Sequence, residues 1–274
     1  MKKWTTAKIR SCKGKNRIAC LTAYDFAFAR MADDIGIPLI LVGDSLGMTT
    51  LGYSTTLPVT MSDMLHHTAA VVRGTSSALV VADMPFLSYQ VSTKDAVRNA
   101  GRLLQEAGAD AVKIEGGAIR AGCVRTLTEN GIPVLGHLGL LPQSIQQIGG
   151  FKVQGKNREA ADELIRDAEI LGKAGVFAIV LECVPPDIAA LVTAATSVPV
   201  IGIGSGPACD GQVLVMNDLL GLSENTPPRF VKKYADLASR ARKAFADYIQ
   251  EVNSGIFPAE EHCYPESGSA GNNS

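Results

Sequence analysis

The chain has 274 residues, 46% of them hydrophobic and 19% charged, with a net charge of −1. That length suits one large domain or two ordinary ones, and the balance gives no basic field for nucleic acid or an anionic membrane. The start, MKKWTTAKIR, is basic but leads into no continuous apolar core, so no secretory signal is expected. No apolar run reaches the roughly 20 residues a bilayer span needs. Six scattered cysteines (Cys12, Cys20, Cys123, Cys183, Cys209, Cys263) with no CxxC pair fit reduced thiols in a cytoplasmic protein.

Apolar runs rich in Val, Ile and Leu fall at Ile18–Tyr24, Leu39–Gly43, Ala78–Ala82, Ala111–Ile114, Pro133–Gly136, Phe177–Leu181, Pro199–Ile203 and Gln212–Met216. They are continuous rather than alternating, as parallel strands covered on both faces should be. Helical spacing appears between them, in Val97, Ala100, Leu104 and Ala107 and again in Ala161, Leu164, Ile165, Ala168 and Leu171 within Arg158–Lys173. Gly36, Gly108, Gly131 and Gly175 each stand between a helical stretch and the next strand, where a left-handed residue closes a helix. Repeated helix–Gly–strand units predict right-handed crossovers and a parallel sheet. Eight strands in this length fit a (β/α)8 barrel better than two doubly wound domains.

Two long loops interrupt the rhythm, Gly47–Pro58 after the second strand and Leu140–Lys156 after the fifth. Within the latter, GGFKVQGK (Gly149–Lys156) reads as a mobile surface loop or as a lid over the site. GIGSGP (Gly202–Pro207) lacks GxGxxG spacing and reads as a tight strand-end turn. Phe230–Val252 reads as a last amphipathic helix. Residues 1–258 are taken as a single barrel domain and 259–274 as a flexible tail.

Polar residues recur at one topological position. The second strand ends at Asp44-Ser45, the third at Asp83, the fourth at Glu115 with Lys113 before it, the fifth at His137 and the sixth at Glu182. In a barrel these ends share the face that carries active sites. A lone Asp at a strand end most often caps the next turn, and Asp25 and Asp63 read that way; His66 and His67 read as packed or surface residues. Recurrence of Asp44, Asp83, Glu115 and Glu182, two of them glutamates, is not expected of independent caps. Close carboxylates repel unless a cation or proton joins them, and an all-oxygen set favours a hard ion such as Mg2+.

The segments LTAYDFAFA, VGDSLGM, LGYSTTLPVTMSDMLHHT, VVADMPFLSYQ, AVKIEGG, PVLGHLGLLPQS, GGFKVQGK, IVLECVP and IGIGSG–CDGQVLV, in order from about Ile18 to Pro258, resemble the ketopantoate hydroxymethyltransferase family. The resemblance implies a TIM barrel of the phosphoenolpyruvate/pyruvate type and a homo-oligomer, typically a decamer. It also implies hydroxymethyl transfer from 5,10-methylenetetrahydrofolate to 3-methyl-2-oxobutanoate through a Mg2+-chelated enolate, giving 2-dehydropantoate in the first step of pantothenate biosynthesis. By position it implies metal ligands at Asp44 and Asp83, Glu115 at the metal through water, and Ser45 and Lys113 on the 2-oxo acid. Glu182 is then the general base and His137 a polar group near the reacting carbon. No folate-contacting residue is assigned. Ser54, Ser205 and Asn217 stand where the family often has Asp, Ala and His, with loop polarity and folate contacts the properties they would touch. A carbon–carbon lyase or phosphomutase on the same barrel, and a non-catalytic barrel protein, are the rival readings.

Overall fold

The computed structural model describes residues 3–223 and 227–264. Eight parallel strands close in sequence order: β1 Ile18–Thr22, β2 Leu39–Val42, β3 Leu79–Asp83, β4 Ala111–Glu115, β5 Val134–Gly139, β6 Ala178–Glu182, β7 Val200–Ile203 and β8 Gly211–Leu214. β8 pairs with β1, with Ile18 opposite Gly211, so no edge remains unpaired. A short helix, α1 (Thr6–Arg10), lies before the barrel and buries Ile9 among the inward side chains.

The outer helices are α2 (Phe26–Asp34), the short α3 (Leu46–Thr49), α4 (Met61–Gly74), α5 (Thr93–Gln105), α6 (Ala121–Glu129), the short α7 (Ile145–Ile148), α8 (Arg158–Ala174), α9 (Pro186–Ala195), the short α10 (Met216–Leu219) and α11 (Leu237–Ser254). Their starts follow local chemistry. Asp25 caps α2, its carboxylate accepting from the Phe28 N–H at 2.9 Å. At α4 the cap is Thr60, and Asp63 closes the reciprocal box from inside the first turn. The glycines at 36, 108, 131 and 175 all have positive φ, between 79° and 109°.

Two cores follow from the period-two alternation of strands. Ile40, Val42, Val80, Ala82, Val112 and Ile114 face outward onto the helices. Leu39, Leu41, Leu79, Val81, Ala111 and Leu135 face inward and fill the barrel with those of the other strands. Inward positions therefore recur every second residue, and the next ones up are Asp83, Lys113, Glu115, His137 and Glu182.

Several boundaries differ from the sequence reading. β3, β4, β5 and β6 run at least one residue further than their apolar runs, because the ladders continue: Asp83 pairs with Lys113, Glu115 with His137, and Gly139 with Glu182. Asp83, Lys113, Glu115, His137 and Glu182 are thus ladder residues of strands rather than loop residues after them. The loop expected from Gly47 begins inside the helical turn α3, and Leu140–Lys156 contains a 3-10 turn, Pro142–Ser144, followed by α7. The last helix starts at Leu237, not Phe230, with Asp236 as its cap. At the other end, a 3-10 turn occupies Glu260–His262, within the segment expected to be tail; residues 265–274 of that segment lie outside the described residues.

One buried acid ties this frame together away from the site. Asp33, at the end of α2, accepts from the backbone N–H groups of Ser76, Ser77 and Ala78 and from the Ser76 hydroxyl, at 2.6–3.0 Å for its closest contacts. Burial alone would raise its pKa, but these donors hold the carboxyl below its usual range. A depressed folded-state value means the stabilisation is present above the unfolded pKa and is lost as pH falls through the folded one. Asp33→Ala is expected to lower stability by about 2–4 kcal/mol at pH 7. In urea unfolding at pH 7 and pH 3, the gap between native and variant should narrow at the lower pH.

Candidate active site

The strand ends open into a cavity of about 750 Å³ whose walls include Asp44, Asp83, Lys113, Glu115, His137 and Glu182. With Ser45, which lines it too, all seven expected polar positions converge. Ladder register accounts for most of this. Asp83 stands directly beside Lys113, and their side chains form an ion pair at 3.0 Å. Glu115 stands directly beside His137, with Oε1 3.4 Å from Nδ1. His137 Nε2 lies 3.2 Å from Glu182 Oε2 on the next strand. Lys113 Nζ is also 3.2 Å from His137 Nδ1, within hydrogen-bond reach.

Asp44 arrives by a different route. The inward position at the end of β2 is Gly43, where an added Cβ would lie 2.7 Å from Ser45 Oγ and 3.5 Å from Asp83 Oδ2. The missing side chain leaves room for the chain to turn, and Asp44 follows at that turn. Its N–H donates to Asp83 Oδ2 at 3.0 Å, and its own Oδ2 accepts from Gln143 Nε2 at 2.9 Å. Asp44 is not a cap: the residue before α3 is Ser45, which makes no side-chain capping bond. Ser45 Oγ instead lies 2.9 Å from the hydroxyl of buried Tyr24, which accepts a bond from Thr22 Oγ1.

The electrostatics follow from burying three carboxylates together. Asp44, Asp83, Lys113, Glu115 and His137 are all buried. Burial drives the Asp44 pKa well up, and the charges of Asp83 and Glu115 add to it. Asp83 is also raised by burial, less so because Lys113 pairs with it. Burial acts upward on Glu115 too, but His137 and Lys113 outweigh it and hold its pKa down. Burial would lower Lys113, yet Asp83, Glu115 and Asp44 raise it above its usual value. For His137, burial and Lys113 act downward and contacts with Glu115 and Glu182 act upward, leaving it raised to about 8. One lysine thus faces three buried carboxylates, and Asp44 carries the excess.

That excess asks for a proton or a cation. One buried oxygen, Asp83 Oδ1, lacks any hydrogen-bond partner, and Glu115 Oε1 is met only by the His137 ring at 3.4 Å, as expected of atoms that would meet an ion or its water. Among the described residues no three His, Cys, Asp or Glu side chains are arranged to hold a metal together. The donor set therefore fits a hard ion that takes one or two carboxylates and fills its other positions with water or substrate, as Mg2+ does, better than a closed structural site.

Sequence reasoning missed Gln143, which touches both Asp44 and Glu115, and Tyr89, whose hydroxyl bonds Gln143 and accepts from the Glu115 N–H. Both sit in quoted segments, PQS and LSYQ, but a neutral side chain in a loop carries no pattern that marks it. Of the three departures from the family pattern, Ser54 and Asn217 line the outer cavity. Ser205 is fully buried behind β6, donating to the Leu181 carbonyl at 2.8 Å and accepting from the Val184 N–H at 3.2 Å.

Phe151, Lys152 and Val153 of the Gly149–Lys156 segment line the cavity. The segment is pinned at one end, where the Gln154 N–H donates to the Cys183 carbonyl at 2.8 Å. At the other end, Gly149 and Gly150 both have positive φ, and a Cβ at Gly150 would meet nothing within 4 Å.

Comparison with known proteins bears on the fold and the family. Solved structures with the same fold include phosphonopyruvate hydrolase, at TM-score 0.60 and 14% identity over 96% of this chain and 92% of that one. Another is 2,3-dimethylmalate lyase, a PEP mutase/isocitrate lyase superfamily member, at TM-score 0.59 and 14% identity over 95% and 91%. Curated relatives are far nearer in sequence. The 3-methyl-2-oxobutanoate hydroxymethyltransferase of Syntrophus aciditrophicus (strain SB) is 57% identical over 96% of this chain and 97% of the relative. That of Moorella thermoacetica (strain ATCC 39073 / JCM 9320) is 58% identical over 90% and 92%. The family model described as ketopantoate hydroxymethyltransferase matches residues 3–260, and the chain belongs to that family.

Proposed function

We propose that the chain transfers a hydroxymethyl group from 5,10-methylenetetrahydrofolate to 3-methyl-2-oxobutanoate, giving 2-dehydropantoate in the first step of pantothenate biosynthesis. The observation that carries this is the cluster of buried acids with one lysine and an accessible glutamate at the mouth of the barrel, in a chain 57% identical to enzymes of that name. The lyase and hydrolase barrels share the fold at 14% identity, too distant to carry their chemistry across.

The chemical difficulty is removing a weakly acidic proton from the carbon beside the ketone. Asp44 and Asp83 would hold one Mg2+ per subunit, with Glu115 reaching it through water; the ion would supply positive charge to the keto oxygen as charge develops there. Lys113 and Ser45 would fix the substrate carboxylate. Lys113 is suited to this because it is already desolvated, so its field is little screened. Glu182 takes the proton from the carbon. Its side chain is 16% exposed, against 3% for Asp83 and Glu115, so among these acids it is the one open to the cavity. His137, 3.2 Å away, steadies its charge.

The carbanion then bonds to the methylene carbon of the folate, and one water supplies the hydroxyl of the product. Both carbon–nitrogen bonds of that methylene break, and tetrahydrofolate leaves with its two nitrogens carrying the proton taken from the substrate carbon and one from the water. The outer cavity offers Tyr53, Phe151 and Phe230 as flat apolar surface for an aromatic donor. Closure of the Gly149–Lys156 segment over it would exclude bulk water, leaving the one molecule that supplies the hydroxyl. Glu182→Gln is expected to abolish exchange of the substrate C3 proton with D2O while calorimetry still shows cation binding. Exchange at the native rate would remove Glu182 from the base role.

Self-association, to a decamer by the family resemblance, belongs to the same reading. Only seven residues separate β7 from β8, too few for a covering helix. The outward positions Ala19 and Gln212 are exposed accordingly. Meanwhile α11 buries none of its residues and presents Phe245, Tyr248, Ile249 and Val252 on one face, 45–66% exposed. A second copy's α11 would cover such a gap. Phe245→Glu with Ile249→Glu should shift sedimentation from an assembly to a monomer; an unchanged profile would exclude α11 as the contact. Among the described residues no helix is long and apolar enough to cross a membrane, and a cytoplasmic location is part of this proposal.

A further inference from the structure

Gln143 makes more contacts to the acid cluster than any role in packing calls for. It stands on the 3-10 turn Pro142–Ser144, the first turn of the segment that continues into the lid, and it is 6% exposed. Its side-chain amide makes four hydrogen bonds. Nε2 donates to Asp44 Oδ2 and to the Met84 carbonyl, both at 2.9 Å. Oε1 accepts from the Tyr89 hydroxyl at 2.8 Å and from Gln90 Nε2 at 3.0 Å. Its backbone N–H donates to Glu115 Oε2 at 3.0 Å.

Two donors and two oxygen acceptors use the whole capacity of a primary amide. They also fix which way it points. Turned over, its oxygen would face the Asp44 carboxylate and the Met84 carbonyl, and its NH2 would face the Gln90 amide. The network therefore admits one orientation.

The consequence is a division of labour among carboxylate oxygens. Gln143 takes Oδ2 of Asp44 and Oε2 of Glu115, while Lys113 and the Asp44 N–H take Oδ2 of Asp83. Of the second oxygens, Asp83 Oδ1 is left buried without a hydrogen-bond partner, and Glu115 Oε1 is left with only the His137 ring, at 3.4 Å. A neutral donor suits this task. A lysine in its place would pair with the excess charge and compete with a cation, whereas an amide orients a carboxylate without neutralising it.

We propose that Gln143 is a positioning residue that sets the cation affinity of the acid cluster and ties it to the lid segment. One residue anchors Asp44, anchors Glu115 and begins the turn leading to Phe151 and Lys152. A cation that tightens its carboxylates therefore stiffens the root of the lid before any substrate arrives. The proposal rests on the cation reading above.

The test uses Mn2+ alone on the substrate-free full chain. Calorimetric titration should give Gln143→Met, close in size to the native residue, a 10- to 100-fold weaker Mn2+ dissociation constant. Gln90→Ala, which removes one donor from Oε1 and leaves every carboxylate contact in place, should weaken it two- to fivefold and serves if the first variant does not fold. Tryptic cleavage after Lys152 reads the lid. Mn2+ should slow it in the native protein, and saturating Mn2+ should fail to slow it in Gln143→Met. Native Mn2+ affinity in the variants, or equal protection at Lys152, overturns the role of Gln143 alone. Absence of Mn2+ binding to the native protein overturns the cation reading and this proposal together.

Discussion

Everything at the mouth of this barrel is arranged around one electrostatic constraint. Three carboxylates, Asp44, Asp83 and Glu115, are held in a dry layer with one lysine. Buried like charges a few ångströms apart are tolerated only when something positive, or a proton, joins them. Lys113 answers for part of the charge and His137, beside Glu115, for more. The remainder falls on Asp44, whose pKa burial and its neighbours push well up. On the proposed reading a divalent cation would meet this excess, replacing an uptake of protons with a stronger attraction.

The frame delivers that cluster through parity. Each strand fills the barrel with every second side chain, and the last inward side chains of β3, β4, β5 and β6 are Asp83, Glu115, His137 and Glu182, the inward position after His137 being Gly139. No loop has to be ordered to bring them together; ladder hydrogen bonds hold them. Asp44 and Gln143 come from turns, and the structure locks each of them with hydrogen bonds to the strand residues. The rigid part of the site thus lies on strands and the adaptable part on Leu140–Lys156.

The barrel was legible because its signals are repetitive. Eight continuous apolar runs and glycines such as Gly108 and Gly175 before strands leave few topologies open. The acids were legible for the same reason, since Asp83, Glu115 and Glu182 each follow an apolar run at the same place. Boundaries were less so. Hydrophobicity stops at Ile114 although the strand continues to Glu115, because ladder pairing with His137 does not depend on side-chain polarity. The false helix start at Phe230 arose because the segment before Leu237 is held elsewhere: Phe230 lies against Gly204, and the Tyr234 N–H donates to the Leu219 carbonyl. Gln143 and Tyr89 were invisible, because a buried hydrogen-bond network joins residues far apart in the chain and no local spacing marks it.

The central claim is that these carboxylates hold a divalent cation through which the 2-oxo acid is bound. It is tested most directly by titrating 3-methyl-2-oxobutanoate into the protein in a calorimeter, with and without Mg2+, beside Asp83→Ala. The account predicts substrate binding that requires Mg2+ in the native protein and is lost in the variant. The same substrate affinity in the native protein with and without Mg2+ would contradict it.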